Sequence, residues 1–216
     1  MPIIDCQTNK FIVLEGLEGA GKSSAMTTIE SWFRHHKPNE IIQLTREPGG
    51  TFIAEKIREL LITDFKTESL TNEAELLLMY ASRMQHVKEL IIPALNNNQW
   101  VICDRFFYSS FAYQGGGRSL GLQRVQQIHH ALLGNFKPGL TIFLDLAPEI
   151  GFSRIQSRET DRIEQEKYDF FERSRAIFHQ LVENDPSAVT IDASKSISEV
   201  QNDIILTIEN YINATS

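Results

Sequence analysis

The residues from Gly16 to Ser23 combine glycines, a lysine and a serine at a spacing that suits phosphate chemistry. They read Gly-Leu-Glu-Gly-Ala-Gly-Lys-Ser, which matches the pattern G-x-x-x-x-G-K-[ST]. Glycines let backbone N–H groups approach phosphate oxygens closely, Lys22 can reach the β- and γ-phosphates, and the Ser23 hydroxyl can coordinate Mg²⁺. The segment predicts a nucleoside-triphosphate site formed by Gly16, Leu17, Glu18, Gly19, Ala20, Gly21, Lys22 and Ser23.

Two arginines stand at the ends of expected strands. Arg46 follows the second apolar run, and Arg105 follows the third as part of an Asp104-Arg105 pair. A lone arginine in such a place is usually a surface residue, but ligands of an open α/β sheet lie at the carboxyl ends of its strands. Because guanidinium groups bind phosphate with two hydrogen bonds, the pair predicts an acceptor that itself carries a phosphate. Asp104 suits a role on Mg²⁺, or is a simple turn-forming residue.

A third arginine interrupts the apolar stripe of a long expected helix. Met79 and Arg83 are four residues apart and therefore share one helix face. Arg83 either extends along the rim of the core with its charge in water or donates hydrogen bonds to the edge of a planar base. The residue pattern alone leaves both interpretations open.

These residues need elements to position them, and the chain alternates apolar runs with helical patterns. The long helix is expected to begin around Asn72 with Glu75 in a capping box. Short strands separated by helices predict an α/β, P-loop NTPase-like fold of three layers, with a five-stranded, mainly parallel sheet flanked by helices. The expected strands are Phe11–Leu14, Ile41–Leu44, Trp100–Cys103, Thr141–Leu144 and Ala188–Ile191.

Length and composition fit one domain of 216 residues, with a small charged lid at about 152–166. A content of 42% hydrophobic residues excludes a disordered chain. A net charge of −7 disfavours binding to nucleic acids or anionic membranes by bulk charge. No apolar run approaches the length that spans a bilayer. Two isolated cysteines indicate reduced thiols. We therefore expect a cytoplasmic protein with no nucleic-acid or membrane partner.

The motifs together resemble bacterial thymidylate kinases. The resemblance runs from about residue 11 to the C-terminal helix, and its most specific parts are Arg46-Glu47-Pro48-Gly49-Gly50 and Asp104-Arg105. It is also carried by Tyr113-Gln114-Gly115-Gly116-Gly117-Arg118 and Asp161-Arg162-Ile163-Glu164. It implies Mg²⁺-dependent transfer of the ATP γ-phosphoryl group to dTMP by a homodimer.

The resemblance also implies a role for individual residues. Arg46 and Arg105 would hold the acceptor phosphate, and Arg83 would hold the thymine edge. Tyr113 would crowd the 2′ position and favour deoxyribose, while Glu18 would engage the acceptor sugar or a metal-linked water. Met79 stands where the family usually has a phenylalanine that stacks on the base. Further polar contacts to the base or sugar would come from Ser110 and Gln114.

The family draws a second transition-state cation from the phosphate loop or from the lid. The variable loop positions here carry no basic residue, so the chain resembles the lid type. Arg154, Arg158 and Arg162 would share one face if that stretch is helical. We expect Arg158 or Arg162 to contact the transferring phosphoryl group, and the alternative is that all three are solvated charges. The expected catalytic residues are Lys22, Arg105, Arg158, Arg162 and Glu18.

The sequence leaves two other classes of function open. One is another nucleoside monophosphate kinase or a deoxynucleoside kinase. The other is a P-loop regulatory protein, although the chain lacks a guanine-reading Asn-Lys-x-Asp motif after a strand.

Overall fold

The sheet lies at the centre of the molecule, for which a computed structural model describes residues 7–155 and 161–215. Neighbouring strands are parallel throughout and lie in the order β2-β3-β1-β4-β5. The predicted five-stranded α/β fold is confirmed. The strands are β1 (Phe11–Glu15), β2 (Ile42–Arg46), β3 (Trp100–Asp104), β4 (Leu140–Asp145) and β5 (Ala188–Asp192).

Helices cover both faces of this sheet. A π-helical turn, Val87–Ile91, joins α3 to α4, and another, Phe111–Gly117, follows α5. Within the described ranges, no helix combines the length and the apolar character needed to cross a membrane. The helices are α1 (Lys22–His36), α2 (Phe52–Ile62), α3 (Asn72–His86), α4 (Ile92–Asn96), α5 (Phe107–Ser110), α6 (Leu122–Leu133), α7 (Pro148–Ile155), α8 (Tyr168–Glu183) and α9 (Ile197–Thr215).

The core is divided between the two faces because successive side chains of a strand point to opposite sides. Ile12 and Leu14 of β1 pack with residues of α1 and α9, whereas Phe11 and Val13 pack with residues of α3 and α6. All five β1 residues are buried. β1 therefore lies between two helical layers, and the loop that follows it is held on a rigid base.

The start of α3 differs from the expected capping box. Thr71 is the N-cap, and its side chain accepts a hydrogen bond from the N–H of Ala74. Glu75 lies one residue too far along the helix to cap it, and its carboxylate is fully buried against other side chains. The expected cap was wrong because Thr71, one residue earlier, satisfies the free N–H groups of the first turn.

The carboxyl ends of β1, β2 and β3 meet at one edge of the sheet. Arg46 is the last residue of β2, two residues beyond the expected strand end, and it lies in register with Asp104 of β3. Asp104 in turn pairs with Leu14 of β1, just before the Gly16–Ser23 loop. The sheet therefore brings the three sequence motifs together.

Candidate active site

A cavity of about 810 Å³ opens at this edge of the sheet. Of the predicted site residues, Gly16, Leu17, Ala20 and Arg162 are not part of its lining, and Arg158 lies outside the described residues. The predicted residues that line the cavity are Glu18, Gly19, Gly21, Lys22, Ser23, Arg46, Met79, Arg83, Asp104, Arg105, Ser110, Tyr113 and Gln114.

The Gly16–Ser23 loop wraps tightly between β1 and α1. Gly19 has a φ of +75°, and a Cβ atom there would lie 2.4 Å from the carbonyl oxygen of Gly151 in α7. Lys22 donates hydrogen bonds to the carbonyls of Gly16 (3.0 Å) and Leu17 (2.9 Å). Burial, together with the nearby charge of Arg105, lowers the pKa of Lys22 to about 8. A bound phosphate would replace these carbonyls and favour the charged amine.

Two groups beside Lys22 fit a hard divalent cation. The Ser23 side chain is exposed and lines the cavity, and the buried Oδ1 atom of Asp104 accepts no hydrogen bond from any described residue. A hydroxyl and a carboxylate are oxygen ligands of the kind that Mg²⁺ prefers. The described part of the chain contains no group of three or more His, Cys, Asp or Glu side chains able to hold a metal. Such a site suits a Mg²⁺ ion that arrives with nucleotide phosphates.

Arg105 lies at the centre of the phosphate end of the cavity. Its backbone has a φ of +69°, and its guanidinium donates to Glu18 Oε1 (2.7 Å) and to the hydroxyl of Tyr113 (3.1 Å). Burial alone would raise the pKa of Glu18, but the charges of Arg105 and Lys22 outweigh it and lower that pKa. Glu18 is therefore ionised and holds Arg105 over the phosphate loop.

The turn that presents Arg105 depends on Glu15, which the sequence analysis missed. Glu15 is fully buried, and its carboxylate accepts hydrogen bonds from the backbone N–H groups of Phe106 (2.9 Å) and Ser109 (3.2 Å). It also accepts one from the Ser109 hydroxyl (2.6 Å). Burial raises the pKa of Glu15 despite these bonds. The sequence feature that could have indicated this role is a glutamate at the end of an otherwise apolar strand.

A second missed residue, Arg58, brings another cation to the same place. Arg58 lies in α2, lines the cavity with Arg46 and Arg105, and donates to the carbonyl of Pro48 (3.1 Å). Burial and the charge of Arg46 lower its pKa, so these positive charges are close together. Arg46 itself is 54% exposed and pairs with Glu55 at 3.1 Å. Nothing in the sequence around Arg58 distinguishes it from an ordinary helix surface charge.

Arg83 forms the opposite, deeply buried end of the cavity. It is 2% exposed, so it is not a rim residue with its charge in water. Its guanidinium donates to Glu47 Oε2 (2.6 Å), to the Ser110 hydroxyl (2.9 Å) and to the carbonyl of Phe106 (2.9 Å). The other oxygen of Glu47 is bonded to His86 Nδ1 (3.0 Å). Glu47 and His86 were missed because their partners are distant in sequence.

Met79 and Gln114 complete this end. Met79 lies one helical turn before Arg83, and both residues line the cavity. Gln114 is 1% exposed and donates from Nε2 to Glu75 at 2.8 Å. The arrangement offers a buried slot with a soft apolar side chain and fixed donors in its lining, which suits a planar heterocycle.

Arg154 and Arg162 do not share a helical face. Arg154 lies in α7, lines the cavity and donates to the carbonyls of Gly19 (3.3 Å) and Ala193 (3.1 Å). Arg162 lies in a turn and donates to Glu75 (2.5 Å) and to the carbonyl of Leu61 (3.0 Å). Arg154 thus lies beside the phosphate loop, whereas Arg162 is held behind the base end.

Comparisons with known proteins show which family the chain resembles in sequence and in fold. The family model described as thymidylate kinase matches residues 14–204. A thymidylate kinase of Shewanella frigidimarina is 49% identical over 208 residues, which cover 96% of each chain. The crystal structure of a thymidylate kinase from Ehrlichia chaffeensis has a TM-score of 0.73 at 29% identity, over 92% of this chain and 97% of that one.

Proposed function

The chain belongs to the thymidylate kinase family, and we propose that its cavity binds ATP over the Gly16–Ser23 loop and dTMP between Arg105 and Arg83. The enzyme transfers the γ-phosphoryl group of ATP to dTMP and forms dTDP for dTTP synthesis. The observation that carries the substrate placement is the cavity itself. It has clustered cations beside a phosphate loop at one end and a buried slot with fixed donors at the other.

At the phosphate end, Lys22 and the loop N–H groups hold the ATP phosphates, and Arg46 and Arg105 hold the phosphate of dTMP. Arg58 joins them, since it lines the same cavity and lies close enough to Arg46 for the two charges to interact. Positioning and fixed positive charge are the main sources of catalysis in phosphoryl transfer. Ser23 and Asp104 would hold Mg²⁺, which neutralises phosphate charge when bound. Glu18 keeps Arg105 oriented and lies where the acceptor sugar would reach.

At the base end, Met79 packs on the thymine ring and Arg83 donates to its edge. Methionine is a soft side chain that makes favourable contacts with rings, so it can replace the usual phenylalanine. Ser110 holds the Arg83 guanidinium (2.9 Å), and Gln114 contacts the base. Tyr113, whose hydroxyl bonds to Glu18 at 2.9 Å, crowds the 2′ position and favours deoxyribose.

A lid at about 152–166 completes the single domain and brings Arg158 or Arg162 to the transferring phosphoryl group. For Arg162 this requires exchange of its bond to Glu75 for one to phosphate. Arg154 steadies the phosphate loop from α7 through its bond to Gly19 (3.3 Å). Lid closure of this kind also keeps water from the transferred group.

We further propose a cytoplasmic homodimer. Large apolar side chains are exposed on α2, namely Phe52 (79%), Ile53 (52%) and Leu60 (47%), and Leu77 on α3 is 59% exposed. Covering such a surface with a second copy would remove apolar area from water. Sedimentation of the purified chain and of a Leu60→Asp variant tests this. A dimer that the variant weakens is expected, and a wild-type monomer would exclude it.

ADP release measured against a panel of acceptors tests the function. ADP should form from ATP in one-to-one proportion to added dTMP, with little release for thymidine, which has no phosphate for Arg46 and Arg105. ADP release at the same rate without any acceptor would indicate a P-loop regulatory protein. Preference for thymidine or for another monophosphate would indicate a related kinase.

A further inference from the structure

We propose that Glu75 determines which base the enzyme accepts, because its carboxylate fixes the amide of Gln114 with the carbonyl oxygen toward the base. Glu75 lies behind the slot and does not line the cavity. The proposal rests on the placement of thymine against Arg83 and Gln114. It makes Glu75 a positioning residue that acts through its neighbour.

Glu75 is fully buried and receives hydrogen bonds from donors on all sides. Gln114 Nε2 and Arg118 Nε donate to Oε1 at 2.8 and 3.2 Å. Arg118 Nη2 and Arg162 Nη2 donate to Oε2 at 3.0 and 2.5 Å. The carboxylate therefore has its acceptor sites filled, and one of them is filled by the amide nitrogen of Gln114.

The charge on Glu75 decides the orientation of that amide. Burial alone would raise the pKa of Glu75, but the hydrogen bonds from Arg118, Gln114 and Arg162 outweigh it and lower the pKa. An ionised carboxylate only accepts hydrogen bonds. A flipped Gln114 would set its carbonyl oxygen against this carboxylate, and two buried acceptors facing one another are strongly unfavourable.

The fixed amide leaves an acceptor for the substrate. Gln114 Oε1 accepts no hydrogen bond from the described residues, and the side chain lines the cavity. Arg83 Nη1 donates one hydrogen to the Ser110 hydroxyl, and Nη2 donates one to the carbonyl of Phe106. Each of these nitrogens carries a second hydrogen that it can donate to the substrate.

An acceptor beside donors matches thymine or uracil, which present an N–H at position 3 and a carbonyl at position 4. Cytosine presents an acceptor and an amino group there, so it meets the wrong partner at both positions. Sites built around such hydrogen bonds reject the mismatched analogue strongly.

Steady-state kinetics of Glu75→Gln with dTMP and 5-methyl-dCMP tests this. The two substrates differ only at the base edge that Gln114 and Arg83 face. The amide introduced by this substitution can donate as well as accept, so it no longer prevents the flip. We expect kcat/KM for dTMP to fall about tenfold, mainly through KM, while that for 5-methyl-dCMP does not fall. The selectivity ratio, which is kcat/KM for dTMP divided by kcat/KM for 5-methyl-dCMP, should therefore fall about tenfold.

Glu166→Gln is the matched control, since Glu166 pairs with Arg118 and leaves the Gln114 amide untouched. We expect its selectivity ratio to equal that of the wild type. An equal loss with both substrates in Glu75→Gln would overturn the proposal and indicate a purely structural residue.

If Glu75→Gln does not fold, Gln114→Met provides the same comparison, because it removes the acceptor at similar size. The selectivity ratio of Gln114→Met should also be lower than that of the wild type, and an unchanged ratio would overturn the proposal. A wild-type enzyme that does not distinguish the two substrates would instead refute the placement of the base.

Discussion

The two ends of the cavity hold their charged side chains in different ways. At the base end, Arg83 is 2% exposed, and its partner Glu47 is 4% exposed and bonded to His86 as well. At the phosphate end, Lys22 is bonded to loop carbonyls and Arg46 is half exposed.

This difference suits the ligands proposed for the two ends. A neutral base brings no charge with which to organise its site, so the donors must be fixed beforehand by buried pairs. Phosphates bring enough charge to displace a carbonyl or a carboxylate from a cation. On the proposed placement, the charged groups of the base end are paired inside the protein before the ligand binds, whereas Lys22 and Arg46 at the phosphate end exchange partners when nucleotides bind.

The largest effect on activity is expected for Arg105→Ala. Loss of a guanidinium from a desolvated phosphate costs about 2–5 kcal/mol, so kcat/KM for dTMP should fall roughly 30- to 5,000-fold. ATP affinity should change little. Arg34→Ala is the matched control, because Arg34 pairs with Glu30 on the surface of α1, outside the cavity lining. Loss of ATP affinity with dTMP affinity intact would remove Arg105 from the acceptor side.

The lid arginines test the comparison between the two ends, because Arg162 lies against the base end in this structure although it is expected to act at the phosphate end. Neutralising the residue that contacts the transferring group should lower the single-turnover rate about 10²–10³-fold with modest changes in both KM values. We expect Arg158→Ala or Arg162→Ala to show this. An Arg162→Ala enzyme with a raised KM for dTMP and a normal rate would assign Arg162 to the base end. Near wild-type rates in both variants would make the lid only a cover.

The pKa of Lys22 predicts a pH dependence confined to the phosphate end. Burial and Arg105 lower this pKa to about 8 in the free enzyme. Lys22 is therefore charged below pH 8 and loses its charge above it. We expect kcat/KM for ATP to fall above about pH 8, toward tenfold per unit, while kcat stays flat because bound phosphates raise the pKa. A profile of kcat/KM that is flat to about pH 9.5 would contradict this.

The smallest effect is expected for Met79→Phe. If Met79 lies on the thymine ring, an aromatic side chain should be accepted there, because offset stacking replaces the sulfur contact. The KM for dTMP should stay within about threefold of the wild-type value or fall, and the KM for ATP should not change. A rise of more than about tenfold in the KM for dTMP would show that the slot does not lie beside Met79.

The sequence predicted the parts of this site that depend on local pattern. The phosphate loop, the five strands and the positions of Arg46 and Arg105 follow from residue types and short spacings. Arg58 was not found because its role depends on how α2 packs over the sheet edge. Glu75 was assigned to a helix cap, since a glutamate near a helix start usually has that role. Two of its actual partners, Gln114 and Arg118, lie about forty residues away.

The buried pair at the base end was missed for the same reason. Glu47 directly precedes Pro48-Gly49-Gly50, a sequence typical of a turn, and Arg83 interrupts an apolar helix stripe. Sequence reasoning placed the two on separate elements with no indication that they meet. Only the packing of α3 against the end of β2 joins them at 2.6 Å.

Equilibrium unfolding in urea without nucleotide tests most directly whether the charge pair at the base end stabilises the fold while Lys22 at the phosphate end does not. Glu47→Gln leaves Arg83 buried without its counter-charge, so the free energy of unfolding should fall by about 3–5 kcal/mol. Lys22→Met removes a buried charge whose pKa is already lowered, so the free energy of unfolding should fall by less than about 1 kcal/mol or rise. Both variants should lose activity. Equal destabilisation by the two substitutions would contradict the distinction between the two ends.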